Sequence, residues 1–293
     1  MAAKKGRKKK TRKTSKKRSV KKMDKNALFR RNLFYTICLF VVFQLMLLPL
    51  QMNLYPAFWG VALLGFGVVL AELLYSRVTD VGRPIQFDSV QIRKAKWREH
   101  FLHHAALPGL LYVTGVFFLY FNRVRVLDQV AVLILSGVFF VIFSNISATY
   151  RRMYSVSRDT RVVFDFINII TFFFFIDVLI NLVLYEGISR YFVFVGAALM
   201  TFALIGMMVA ITKQSSLEIL LMLLSTSIFV GLAVVLIWSI PVFNIAVISL
   251  VSTIAFYLAD VYWHHRLEGS FSWEVMSQYA LFALMAIILV LYL

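Results

Sequence analysis

Nine runs of apolar residues, each long enough to approach the thickness of a bilayer, recur along this chain of 293 residues. An α-helix rises 1.5 Å per residue, so about twenty apolar residues match a hydrocarbon core of ~30 Å. The composition agrees, with 61% hydrophobic and 15% charged residues and a mean hydropathy of +0.81. A soluble domain of this size could not bury so much apolar surface. The sequence therefore predicts an all-α fold, a polytopic transmembrane helical bundle of about nine spans.

The chain divides into two parts. Residues 1–31 are predicted to be a disordered basic cytoplasmic tail, and residues 32–293 the transmembrane helical domain. Within that domain a capping pattern at Asp88, followed by a one-sided apolar stripe, predicts an interfacial helix near residues 89–104. The predicted spans are residues 33–50, 56–75, 105–121, 129–148, 162–184, 191–212, 217–238, 241–260 and 275–293.

The tail holds sixteen of the 31 Lys and Arg residues, interleaved with Gly, Ser and Thr. Without apolar periodicity such a segment has nothing to pack, which predicts disorder. Basic residues near a bilayer attract anionic headgroups by roughly 1 kcal/mol each. The same charge density would also bind RNA or ribosomes without sequence preference. RNA or ribosomes are therefore an alternative partner of the tail. The residues expected to contact anionic lipid or phosphate are Lys8, Lys9, Lys10, Arg12, Lys16, Lys17 and Arg18.

The distribution of basic residues also predicts an orientation. The tail and the longer loops hold 28 of the Lys and Arg residues, whereas the short loops hold Arg123, Arg125 and Arg190. Because basic loops stay in the cytoplasm, the N-terminus is expected there. An odd number of spans then places Leu293 at the opposite face.

The predicted fifth span carries polar residues among its phenylalanines. An ionised Asp177, about two thirds of the way across, would cost about 2.5 to 3.5 kcal/mol on insertion scales. The predicted spans contain no Lys or Arg to pair with it, and Gln44 and Ser136 lie at a similar depth as candidate hydrogen-bond partners. Asp177 is therefore either a neutral packing residue or part of a cation or proton path. The candidate intramembrane polar site consists of Asp177, Asn181, Gln44, Asp165 and Asn168.

Histidines cluster at two places on the predicted cytoplasmic face. Neutral imidazoles oriented by carboxylates are typical of Zn or Fe sites, so the two clusters together predict a candidate metal site. His265 lies beside the second cluster. The candidate ligands are His100, His103 and His104 in the first cluster, and Asp260, His264 and Glu268, spaced by one helical turn, in the second.

Two family resemblances accompany these residues. His100-x-x-His103-His104 is similar to one histidine box of the membrane fatty-acid desaturases and hydroxylases, but that family uses several boxes and this chain has five histidines in all. The last ~35 residues, from Tyr262 through Gly269 into the final span, resemble the C-terminal pattern of an uncharacterised multi-pass family of small-genome bacteria. That resemblance implies a bacterial inner membrane and supplies no activity.

Three hypotheses follow for function. The first is a non-enzymatic factor that organises or assembles envelope components together with membrane-protein partners, because no catalytic, phosphate-binding or cysteine motif occurs. The second is a cation- or proton-coupled transporter that uses Asp177. The third is a metal- or lipid-dependent enzyme at the cytoplasmic face that uses the two histidine clusters. An enzyme is not the favoured expectation, and no cofactor is predicted.

Overall fold

The computed structural model describes residues 25–81, 105–122, 124–151, 158–212, 216–240 and 244–292. These ranges form nine α-helices and include no strand. The predicted interfacial helix, the first histidine cluster and the lipid-contacting residues of the tail lie outside them. The helices are α1 (Lys25–Gln51), α2 (Tyr55–Val81), α3 (Leu107–Phe121), α4 (Arg125–Arg151), α5 (Arg158–Glu186), α6 (Tyr191–Thr212), α7 (Leu217–Trp238), α8 (Ile245–Glu268) and α9 (Trp273–Tyr292).

Seven of the nine helices are long and apolar enough to cross a membrane, with segments of 19 to 24 residues. The other two are shorter: α3 has 15 residues, and the apolar part of α9 is Trp273–Ile288. Large apolar side chains face outward, including Leu63, Phe229 and Phe282. Such a surface is costly in water and matches hydrocarbon. The prediction of an all-α transmembrane bundle is confirmed, and the protein is a multi-pass integral membrane protein.

The helix ends follow local capping chemistry. The side chain of Asn244 accepts a hydrogen bond from the Val247 amide at 2.9 Å, so α8 begins at Ile245 rather than at residue 241. Gly269 ends α8 in the left-handed conformation, with φ of 70°. The helix α1 begins at Lys25, so residues 25–31, which the sequence assigned to the disordered tail, are helical. The tail assignment is therefore corrected for these residues. Arg31 pairs with Glu72 of α2, so this segment belongs to the helical bundle.

Consecutive helices run in alternate directions. Ring contacts join the start of α1 to α4, through Phe29 and Phe140, and the start of α2 to the end of α3, through Phe58 and Tyr120. The start of α5 likewise meets the end of α8. We call the side on which α1 begins the tail side. The second half of α4 packs there against the start of α1, through Phe143 and Tyr35. Six residues between α4 and α5 are too few to cross the bundle, so the start of α5, and with it the end of α8, lies on the tail side as well.

The short helix α3 contacts three other helices. It packs most extensively on α5 and also contacts α4 and α2. The hydroxyl of Tyr112 donates a hydrogen bond of 2.6 Å to the carbonyl of Ala62, across the space left by Gly65. The missing side chain of Gly65 therefore permits the close approach of α3 to α2. On another face of α3, the ring centroid of Phe118 lies 4.7 Å from the ring centroid of Phe174 on α5.

Candidate functional site

Asp177 joins α5 to α8 through hydrogen bonds in the interior of the bundle. Its side chain is 4% exposed, and its Oδ2 accepts a hydrogen bond of 2.8 Å from Nδ2 of Asn181, one helical turn later. The hydroxyl of Ser249 on α8 lies 3.2 Å from Asp177 Oδ1 and 2.9 Å from the carbonyl oxygen of Ile245. Asn181, another residue of the candidate polar site, therefore contacts Asp177 directly.

The Ser249 hydroxyl has one hydrogen and two acceptors within reach. It can donate to an ionised Asp177. It can instead donate to the Ile245 carbonyl while a protonated Asp177 donates to the Ser249 oxygen, so that each hydrogen is used once. The same heavy-atom positions therefore accommodate both protonation states of Asp177.

The predicted partners Gln44 and Ser136 do not contact Asp177. Gln44 instead donates a hydrogen bond of 2.8 Å to Gln129 of α4, and the two amides also meet at 3.4 Å in the reverse sense. Ser136 is buried, and its hydroxyl has no hydrogen-bond partner within the ranges that the structure describes. The prediction was wrong because sequence position gives depth in the membrane, whereas contact depends on which helices are neighbours.

A second group of ionisable residues lies at the tail-side end of the same helix pair. Nε2 of His264 is 3.3 Å from Oε1 of Glu268, and its Nδ1 is 4.0 Å from Oδ2 of Asp165 on α5. Asp260, one turn before His264, lies close enough to Asp165 for their charges to interact. These contacts bring together Asp165, Asp260, His264 and Glu268, which the sequence had divided between two separate sites.

Burial increases along this group towards the membrane interior. The side chains of Glu268, His264 and Asp165 are 39%, 26% and 31% exposed, so all three reach the surface of the bundle near its tail-side end. Asp260 is only 2% exposed, and its Oδ1 has no hydrogen-bond partner among the described residues. An acceptor in that state is costly to bury and attracts a proton or a donor.

Two stacked aromatic rings separate Asp177 from Asp260. The centroids of Phe172 on α5 and Phe256 on α8 are 4.3 Å apart, with an angle of 11° between the ring planes. Both side chains are fully buried. Asn168, the remaining predicted polar residue of α5, is also buried and precedes Phe172 by one turn. The α5–α8 interface therefore has a carboxyl group on each side of an aromatic pair.

The candidate metal site is incomplete in the described part of the chain. No group of three His, Cys, Asp or Glu side chains in those ranges is arranged to hold a metal ion. His100, His103 and His104 lie outside the ranges, so the six-residue site stays a prediction. His265, the neighbour of His264, contacts Ser270 through Nδ1 at 3.0 Å and packs on the ring of Tyr279.

A buried ion pair that the sequence did not predict lies among the described residues. Glu72 of α2 is fully buried, and its Oε1 lies 2.8 Å from Nη2 of Arg31 on α1. The loop-and-span division had placed Arg31 in the tail, so a pairing between helices was overlooked. A charge near the start of α1 and another near the end of α2 would have been the available signal.

Two further residues of the site escaped the sequence analysis. Ser249 and Phe256 lie on α8, a helix whose polar residues Ser249, Ser252 and Thr253 recur at helical spacing. That spacing indicates a polar face, but it does not identify the opposing helix. Comparison with protein-family models, with curated proteins and with solved structures finds no match.

Proposed function

We propose that this protein translocates protons across the membrane along the interface between α5 and α8. The observation that carries the proposal is the line of carboxyl groups at that interface: Asp165 and Asp260 at the tail side and Asp177 deeper in the bundle. Ionisable residues inside transmembrane segments are expensive and rare, and they commonly mark proton relays or ion pathways. Here three of them share one helix pair.

The chemistry of the tail-side group suits protons. An imidazole can both accept and donate a proton, and His264 stands between the carboxylates of Glu268 and Asp165. A proton taken from water by this group can pass to Asp260, whose Oδ1 lacks a partner in the described ranges. The entrance of the route is therefore Glu268 and His264, and its first buried station is Asp260.

The chemistry of the deeper station suits the same ion. The contacts of Asp177 with Asn181 and Ser249 can be satisfied in both protonation states without a change of heavy-atom positions. A group that exchanges protons with little reorganisation is what a relay requires. This property favours a role of Asp177 in proton transfer over a role as a packing residue that always stays neutral.

The carboxyl line changes the order of the three hypotheses. An envelope-organising factor was favoured because the sequence offered no coherent site, and the α5–α8 interface now provides one. The organising role and the enzyme remain hypotheses, since no contact among the described residues favours either. Cross-linking in native membranes would test the first of these, and metal analysis of the purified protein the second.

The sequence predictions supply a location for the proposed function. We place the protein in a bacterial inner membrane with the N-terminus in the cytoplasm and the C-terminus on the opposite face, in line with the positive-inside bias of the sequence. The tail then lies against anionic headgroups of the inner leaflet. In that orientation, His264 and Asp260 take up protons from the cytoplasmic side.

The test is proton flux in sealed vesicles that contain the purified protein and an internal pH indicator. A potassium diffusion potential, negative inside, drives protons inward. We expect wild-type vesicles to acidify faster than protein-free vesicles, and Asp260→Asn to return the rate to that of protein-free vesicles, because the first buried station can no longer exchange a proton. Wild-type acidification no faster than in protein-free vesicles would overturn the proposal.

A further inference from the structure

We propose that Phe172 and Phe256 form the seal of this route, an aromatic barrier that separates the two carboxyl stations and sets the rate of proton passage. The inference rests on the proposed function and adds the element that controls it. Its basis is placement: the rings stack at 4.3 Å, they are fully buried, and each belongs to one of the two helices that carry the carboxyl groups.

The two rings occupy the segment between the stations on both helices. On α5, Asp165 precedes Phe172 and Asp177 follows it, in each case by about one to two helical turns. On α8 the order is reversed, since Ser249 precedes Phe256 and Asp260 follows it. A route that follows this interface from Asp260 to Asp177 therefore meets the stacked pair.

A proton needs a chain of hydrogen-bonding groups or water molecules, and a phenylalanine ring provides neither. Apolar constrictions in membrane pores stop ion passage by excluding water. Closely stacked rings leave no space for a water molecule between them, so the closed pair interrupts the chain. Passage requires the rings to separate, and the attraction between stacked rings beyond their packing is small enough for thermal motion to overcome.

The experiment compares alanine variants of the two rings with a matched variant elsewhere on α5. Phe174 is similarly buried and is two residues from Phe172, but it packs against Phe118 of α3. Phe174→Ala therefore creates a cavity of the same size away from the carboxyl line. Each variant is reconstituted in the same vesicles, after helix content and a monodisperse state in detergent have been verified.

We expect Phe172→Ala and Phe256→Ala to accelerate proton entry by roughly tenfold over wild type, because water can fill the opened constriction. Phe174→Ala should keep the wild-type rate. Adding Asp177→Asn to Phe172→Ala should abolish the increase, which shows that the leak uses the carboxyl line and not a general defect. Phe256→Leu retains apolar bulk and should retain most of the seal, so it reports on the site even if an alanine variant fails to fold.

The outcomes separate the seal from the function itself. If wild type conducts protons and neither alanine variant conducts faster, the seal is refuted and the proposed function stands. If wild type is as slow as protein-free vesicles while Phe172→Ala leaks in an Asp177-dependent manner, conduction by the resting protein is refuted and the seal stands. Equal acceleration by Phe174→Ala would refute the seal, since the effect would then come from any cavity in α5.

Discussion

Replacing Asp177 with asparagine is expected to lower proton flux through the reconstituted protein by about tenfold or more while the fold is retained. An asparagine can place its oxygen towards the amide of Asn181 and its amide towards the oxygen of Ser249, so both contacts survive. The substitution removes the acidic proton that the Asp177 carboxyl group can release and take up. The measurement is the rate of potential-driven acidification in vesicles, with helix content and thermal unfolding recorded on the same preparation.

Asp128 provides the matched control for this substitution. It is also a carboxyl group within a membrane-spanning helix, and it accepts a hydrogen bond of 2.7 Å from Asn122, but it belongs to α4 and not to the α5–α8 interface. Asp128→Asn should leave the flux unchanged. If Asp177→Asn conducts protons at the wild-type rate, Asp177 is a packing residue and the route does not pass through it.

Removing Arg31 is expected to produce the largest loss of stability. Glu72 is fully buried, and deletion of one partner of a buried ion pair costs about 3 to 5 kcal/mol because the remaining charge has no compensation. Arg31 is 17% exposed, so we expect Arg31→Ala to lower the free energy of unfolding by about 3 kcal/mol, the lower end of that range. The measurement is denaturant unfolding of the protein in detergent micelles.

A double variant distinguishes loss of the pair from loss of packing. In Arg31→Met with Glu72→Met no charge remains, and replacement of a buried pair by apolar residues of similar size is often neutral. We expect the double variant to recover most of the stability lost in Arg31→Met alone. A double variant no more stable than Arg31→Met would mean that the arginine contributes through its other contacts and that the pair with Glu72 adds little.

The helices were predictable from the sequence because the residues of each helix indicate by themselves whether it lies in hydrocarbon. A run of apolar residues ends where polar and turn residues begin, and for α6 and α7 those limits agree with residues 191–212 and 217–238. Hydrogen bonding within a helix is local, so the prediction needs no knowledge of neighbours. The early start of α1 is the exception. Its first turns are basic and yet helical, and Arg31 contacts Glu72 of α2, a neighbour that the sequence of α1 alone does not indicate.

The contacts of the site were less predictable because they depend on helix order in the membrane plane. Depth alone suggested that Asp177 meets Gln44, but α1 packs on α2 and α4, and α5 packs on α8. For the same reason Asp165 and Asp260 were assigned to separate sites, although both lie at the tail-side end of the α5–α8 pair, Asp165 beside His264 and Asp260 one turn before it. The polar spacing of Ser249, Ser252 and Thr253 marks a face of α8 without indicating its partner.

If the proposal is correct, Asp177 and Asp260 both exchange protons as stations of one route. Infrared difference spectroscopy of the protein in hydrated bilayers, recorded across a pH step, observes the carboxyl groups directly. We expect changes in carboxylic acid absorption, one part of which disappears in Asp177→Asn and a separate part in Asp260→Asn. Absence of a carboxyl change in the wild type, or its full retention in both variants, would show that these two residues do not exchange protons.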